Sequence, residues 1–265
     1  MRILGIHGGR KSGKNTLSNF LHGYQLKAND IITGFSIDVD GKLHVDFPTE
    51  KGVQSGMLDV TTQGPEFALW ASQSIWPYVK NYAFADALKG VATNLFGVPE
   101  KLAYGTNEDK ETKLEHLRWE SFPEIITPQV CDDYGFKQED LERLGLIEHE
   151  PGPMSIREFL QYFGSQICRR IYSPIWVNAL IGQIKNEESA LSIISDVRFD
   201  NEAEAILEAG GKMVKLTRKE IIDWHTSEKG ISPHLVSSTL DNANLDLVDT
   251  CTQLLQIIDN YRWTE

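Results

Sequence analysis

Apolar positions along the 265-residue chain fall into two periods. Residues 2–7 (RILGIH) form a short apolar run that meets two glycines at once, which predicts a buried strand. From Asn15 the period becomes helical: Leu17, Phe20, Leu21 and Tyr24 lie at i, i+3, i+4 and i+7. Residues 35–47 read as a β-hairpin with Asp40-Gly41 as its tight turn, and the polar stretch to about residue 75 reads as part of the same insertion. Residues 82–97 predict a short strand or turn and then a helix. Residues 105–153 are charged and contain prolines, which predicts an irregular, partly helical excursion with an acidic segment at 132–142.

Regular structure is expected to return at 155–170, where Ile156, Phe159, Leu160, Phe163 and Ile167 make one helical stripe. Residues 190–196 (ALSIISD) predict an apolar strand ending in an acid. A helix over 200–209 stops at Gly210-Gly211, and 212–216 (KMVKL) is a further strand. Leu245, Val248, Cys251, Leu255 and Ile258 mark a C-terminal helix. Apolar strands alternating with helices predict an α/β domain with a parallel sheet covered on both faces.

Composition narrows the function classes. The formal net charge is -12 and no stretch is strongly basic, so binding to a nucleic acid polymer is not expected. The three cysteines are widely spaced and odd in number, which argues against a disulfide framework or metal clip and for a reducing cytoplasm. The start of the chain does not read as a signal peptide, and no apolar run suits a membrane span.

Candidate chemistry begins at residues 8–16, GGRKSGKNT. Gly8, four residues, Gly13 and Lys14 follow a predicted strand and open a predicted helix, the context of a phosphate-binding loop. Backbone N–H groups of such a loop approach phosphate, the helix N-terminus adds positive potential, and Lys14 would sit on the β- and γ-phosphates. Arg10, Lys11 and Ser12 complete the loop. Asn15 stands where many such loops place a magnesium-binding hydroxyl; Thr16 follows it. The metal would then be held by phosphates and water with help from Asn15 and Thr16.

A second set of polar residues suits an acceptor. Arg157, Gln161 and Ser165 lie at i, i+4 and i+8, off the apolar stripe, and Gly164 beside them would let a ligand approach. Arg169 and Arg170 follow, and Trp176 would stack on a base or fill the core. Asp196 and Arg198 stand just past a predicted strand end, where open α/β sheets bind ligands, and Glu202 lies early in the next helix. Asp86 and Lys89 are further candidates near phosphate; an ordinary helix start explains them equally.

In order along the chain, GGRKSGKNT, FADALKGVATNLFG, SIREFLQYFGSQICRRIYSPIWVNAL, IISDVRFDNEAEAILEAGGKMVKLTR, HTSE and TLDNAN resemble the deoxynucleoside monophosphate kinases of tailed bacteriophages and related phosphate-loop proteins. The resemblance that these blocks carry extends over about two-thirds of the chain; 34–80 and 128–153 match least. The resemblance implies a three-layer phosphate-loop kinase sandwich as one domain over 1–265, with the hairpin insertion at about 34–80 and a helical, lid-like excursion at 105–153. It implies ATP and Mg²⁺ as cofactors, transfer of the γ-phosphoryl group to a deoxynucleotide, and the cytoplasm as compartment, that of the host if phage-encoded. A homodimer is compatible with it.

The resemblance implies ATP contacts at Gly8 to Thr16, with Arg218 and Asn242 on the donor nucleotide. It implies acceptor contacts at Arg157, Gln161, Gly164, Ser165, Trp176, Asp196, Arg198 and Glu202. Asp196 and Thr16 would meet the metal through water. His225 and Glu228 recur in the family without a role that chemistry supplies. Many members carry Asp at the position of Asn15, so this chain lacks a carboxylate there. Another phosphate-loop kinase, such as one acting on dephospho-coenzyme A, a non-catalytic nucleotide-binding protein, and a plain ATPase stay open on the residues alone.

Overall fold

The computed structural model describes residues 2–9, 11–62, 64–218 and 230–261. Arg10, His225 and Glu228 lie outside them. The elements in chain order are β1 (Arg2–Gly8), α1 (Lys14–Ala28), β2 (Gly34–Ile37), β3 (Leu43–Thr49), β4 (Gly52–Leu58), α2 (Pro65–Ser74), β5 (Val79–Tyr82) and α3 (Phe84–Phe96). The middle of the chain carries α4 (Glu100–Ala103), α5 (Asn107–Lys110), β6 (Lys113–Arg118), β7 (Ile125–Ile126), α6 (Pro128–Tyr134), α7 (Gln138–Leu144), β8 (Ile147–Glu148), β9 (Pro153–Ser155), α8 (Ile156–Gln161) and α9 (Arg169–Ile171). The rest carries α10 (Ile175–Glu187), β10 (Leu191–Ile194), α11 (Asp200–Glu208), β11 (Lys212–Thr217), β12 (Ser238–Asp241) and α12 (Leu247–Asn260).

The chain divides into two compact units. The first is 1–84 with 176–265; the second is 85–175. The first unit is built on a five-stranded sheet in the order β12-β11-β1-β10-β5, every neighbour parallel. The pleat divides its side chains between two layers. Leu4, Ile6, Ile193, Val214 and Leu216 pack with Leu17 and Leu21 of α1 and with Cys251 and Leu254 of α12. On the other face Ile3, Ile194 and Met213 pack with Leu180 and Ile184 of α10 and Ala203 and Ile206 of α11. The expected α/β class with a covered parallel sheet is what the strands form.

The hairpin is present, with Phe35 opposite Val45, and β4 extends it to a three-stranded antiparallel sheet. Gly41 has φ 79°, the left-handed conformation the turn requires. β4, α2 and β12 were not read from the pattern. Val248 corrects the expected C-terminal stripe: it is 71% exposed, and Leu254 is fully buried in its place. α11 ends where Gly210 takes φ 82°.

The second unit has its own core, in which Ile156, Phe159 and Tyr162 pack with Ala92, Val98 and Met154. Its sheets are the two-stranded ladders β6-β9 and β7-β8. Between α8 and α9 the helix widens to a π-helix over Tyr162–Cys168. The three cysteines are free and buried. No helix among the described residues is long and apolar enough to cross a membrane.

Candidate active site

β1 is the middle strand of the parallel sheet, and its C-terminal end runs into the loop at 8–13. Ser12 N–H donates to the Gly9 carbonyl at 3.2 Å, and Gly13 turns the chain into α1 with φ 97°. The first turn of α1 has no acidic residue and Gly13 no capping side chain, so the positive end of the helix is not met by a local carboxylate. Lys14 Nζ donates to the Gly8 carbonyl at 2.6 Å and the Gly9 carbonyl at 2.8 Å. The ammonium therefore lies over the loop's own backbone, on bonds that a stronger anionic acceptor can replace. Lys11 takes φ 60°, unusual for a residue with a Cβ, and its carbonyl accepts from Arg218 Nη1 at 3.4 Å. Asn15 is exposed.

Two buried side chains hold this edge, and the sequence pattern assigned neither task. Asn242 is 8% exposed and its Nδ2 donates to the Ser12 carbonyl at 3.0 Å, so it positions the loop from beneath. His7 Nδ1 lies 2.9 Å from the Val197 carbonyl, which can only accept, so Nδ1 carries the proton. That bond ties the end of β1 to the segment past β10 that carries Asp196 and Arg198. His7 read as one more strand residue; its place at the strand end was the available signal.

Asp196 stands two residues past β10, half-buried, and Arg198 is exposed. Glu202 is 3% exposed, and its carboxylate accepts from the N–H groups of Arg198 at 2.8 Å and Phe199 at 3.2 Å. It shapes the segment that presents Arg198, a different task from the ligand contact expected of it. Trp176 is 6% exposed at the start of α10. Thr16 packs under the hairpin turn, where a Cβ on Gly41 would strike its hydroxyl. Thr16 and Asp196 offer the hard oxygens that magnesium prefers, and magnesium needs only one or two protein groups beside phosphate and water. No group of three or more His, Cys, Asp or Glu suited to a metal occurs among the described residues.

In the second unit Arg157 Nη2 donates to Asn107 Oδ1 at 3.1 Å, and its Nε pairs with the Glu111 carboxylate. Lys89 Nζ lies 3.2 Å from Asp86 and 4.4 Å from the centre of the Tyr104 ring. Burial lowers the Lys110 pKa, and Lys89 and Arg157, both cations, lower it further. Lys89, Lys110 and Arg157 thus form one cluster of cations, with the carboxylates of Asp86, Asp109 and Glu111 among them. The sequence reading missed Lys110 because it stands in a segment where charges alternate.

Gln161 and Ser165 are exposed; Gln161 ends α8 and Ser165 lies in the π-helical stretch that follows. Gly164 is buried, and a Cβ there would meet Leu88 Cδ2 at 2.6 Å. The glycine admits α3, not a ligand as expected. Arg169 is half-buried, and Arg170 pairs with Glu124 at 3.1 Å.

Residues 121–248 match the model of a family described as deoxynucleotide monophosphate kinase. The resemblance is borne out. A protein of Acanthamoeba polyphaga mimivirus named "Putative deoxynucleotide monophosphate kinase" is 28% identical over 183 residues, covering 67% of this chain and 82% of the relative. Both findings support a kinase of deoxynucleotide monophosphates, and with it the use of nucleotides as substrates. The stretch matched by the deoxynucleotide monophosphate kinase model includes Arg157, Asp196, Arg198, Arg218 and Asn242.

Proposed function

We propose that the protein transfers the γ-phosphoryl group of ATP to the 5′-phosphate of a deoxynucleoside monophosphate, giving ADP and the deoxynucleoside diphosphate. The observation that carries this reading is the loop at the end of β1. A strand, a glycine-bounded turn and an uncapped helix meet there, with a lysine ammonium lying on loop carbonyls. An anion with several oxygens fits that arrangement better than any neutral ligand.

On this reading Gly8, Lys11, Ser12, Gly13 and Lys14 bind the donor phosphates, and Lys14 leaves its two carbonyls to neutralise charge that develops on the transferred group. Arg218 meets the donor nucleotide, and Asn242 holds the loop in shape. Thr16 and Asp196 would hold magnesium through water; when bound, the ion neutralises phosphate charge. In the second unit Arg157, Lys89 and Lys110 are assigned to the acceptor phosphate and Gln161, Ser165 and Arg169 to nucleotide binding; in the first, Arg198 and Trp176 are assigned to nucleotide binding. An acceptor phosphate is already ionised at neutral pH, so positioning and charge carry the reaction and no strong general base is needed.

The test is to mix the purified chain with magnesium, ATP and each of the four common deoxynucleoside monophosphates in turn, beside a control without acceptor. Diphosphate formed with an acceptor and absent from the control supports the reading. ADP released equally in the control would make the protein an ATPase. No ADP from a protein that binds ATP would make it a nucleotide-binding protein.

A further inference from the structure

The inserted hairpin has no part in the reaction just described, yet it reaches the phosphate loop. Asn19 Nδ2 of α1 donates to the Gly41 carbonyl at 2.8 Å, and Gly41 is packed so closely on Thr16 that no side chain fits between them. The turn is therefore seated on the first turns of α1. It is also stiff. Asp38 Oδ1 accepts from the N–H groups of Asp40 and Lys42, both at 2.9 Å, and Gly41 N–H donates to the Asp38 carbonyl at 3.0 Å.

A cavity of about 480 Å³ opens beside it. Gly13, Thr16, Arg218 and Asn242 line it together with the turn, from Ile37 to Gly41. The volume lies in the range of small-molecule sites, about 300–1,000 Å³. Leu17, Ile37, Leu245 and Leu247 give the lining apolar surface, while Asp38, Asp40 and Asp246 put carboxylates around it. Carboxylates repel phosphate, so the anionic end of a ligand belongs at Gly13 and the uncharged end against this apolar lining. Val39 is wholly exposed at the turn, an apolar side chain standing at the edge of the cavity with its surface in water.

We infer that the Asp38–Gly41 turn is the outer wall of the donor-nucleoside compartment, and that Val39 covers the base of the bound nucleoside triphosphate. This rests on the donor reading of the loop given above, and it assigns a task to an insertion that the family resemblance covers least. It makes Val39 a residue that sets donor affinity without touching the reacting atoms.

The experiment compares ATP with inorganic tripolyphosphate, which can occupy the loop but not the compartment. Binding of each is measured on the unaltered chain, on Val39→Ser and on Val39→Ile, with hydrogen exchange at 37–42. ATP should slow exchange at 37–42 and tripolyphosphate should not. Val39→Ser should weaken ATP binding about tenfold. The same variant should leave tripolyphosphate affinity and the acceptor KM unchanged, and Val39→Ile should restore ATP affinity. Equal protection by both ligands, or ATP affinity unmoved in Val39→Ser, overturns the inference while diphosphate formation keeps the kinase reading standing. Absence of both ATP binding and diphosphate formation overturns the kinase reading and this inference with it.

Discussion

The two units place their charges by different means. In the first, the backbone does it. Lys14 lies on the carbonyls of Gly8 and Gly9, Asn242 holds the carbonyl of Ser12, and His7 holds the carbonyl of Val197. In the second, side chains do it: Arg157 is held by Glu111 and Asn107, and Lys89 by Asp86. Of these carbonyls Gly8 ends a strand of the parallel sheet and the others lie in the loops that leave it. A pair between partly exposed side chains contributes little and is easily exchanged. On the proposed function, the first unit presents a loop shaped by backbone bonds with Lys14 lying on it, and the second presents cations held on side-chain counter-ions.

The largest effect that comparison predicts is at Lys14. Lys14→Ala should lower kcat/KM for diphosphate formation about 10²- to 10³-fold, the scale for loss of one transition-state charge contact. The fold should be unchanged, since Lys14 is not in the core. Near-normal turnover in Lys14→Ala would break the assignment of the loop.

Arg157→Ala should cost less, about tenfold in kcat/KM for the acceptor, because Lys89 and Lys110 remain to share the phosphate charge. ATP binding, read by calorimetry, should not move. Arg157→Lys should recover only part of the loss, because an ammonium cannot reproduce the forked contact. A loss at Arg157 as large as that at Lys14 would mean that these cations do not act together.

The same contrast explains what could be read from the sequence. β1, the loop, α1, β10, α11 and β11 were legible because a parallel sheet covered on both faces imposes short apolar runs, the helices impose a period of 3.6, and glycines mark the joins. The strand-end residues Lys14, Asp196 and Arg198 were legible with them. β12 was not, because its sequence STLD has little apolar signal at a sheet edge; nor was β4, whose residues are almost all exposed. In the second unit only two short two-stranded ladders discipline the pattern. The π-helix over Tyr162–Cys168 widens the turn in a way that no composition announces, so the helix over 155–170 was legible but its widening was not. Lys110 and Glu111 acquire meaning only when the fold brings Arg157 to them.

Stability should respond to pH through the first unit. His22 is 1% exposed on α1, with Nδ1 2.9 Å from the Ser18 carbonyl, and burial pushes its pKa down from 6.5 to about 4. Between those two values the unfolded chain holds a proton that the folded chain refuses. Stability is therefore full above pH 6.5, falls as the pH drops toward 4, and loses nothing more from this group below that. The whole shift corresponds to about 3 kcal/mol. His22→Leu should remove this part of the slope, seen as a smaller change in urea midpoint between pH 7.5 and pH 4.5. An unaltered slope would mean that the ring titrates alike in the folded and unfolded chain.

The smallest predicted effect tests the replaceable counter-ion itself. Glu111 is more exposed than Arg157 and pairs with its Nε, while Asn107 keeps Nη2. An acceptor phosphate must compete with that carboxylate for the guanidinium. Glu111→Gln removes the competing charge and keeps the shape, so the acceptor KM should fall two- to threefold, within the roughly 0.2–1 kcal/mol of an exposed ion pair. Raising the salt to about 0.5 M should erase the difference, because screening weakens the pair in the unaltered chain as well. The ATP KM should stay where it was in both conditions. A rise in acceptor KM instead would show that Glu111 aims Arg157 at the phosphate, and the counter-ion would then shape the second unit as backbone bonds shape the first.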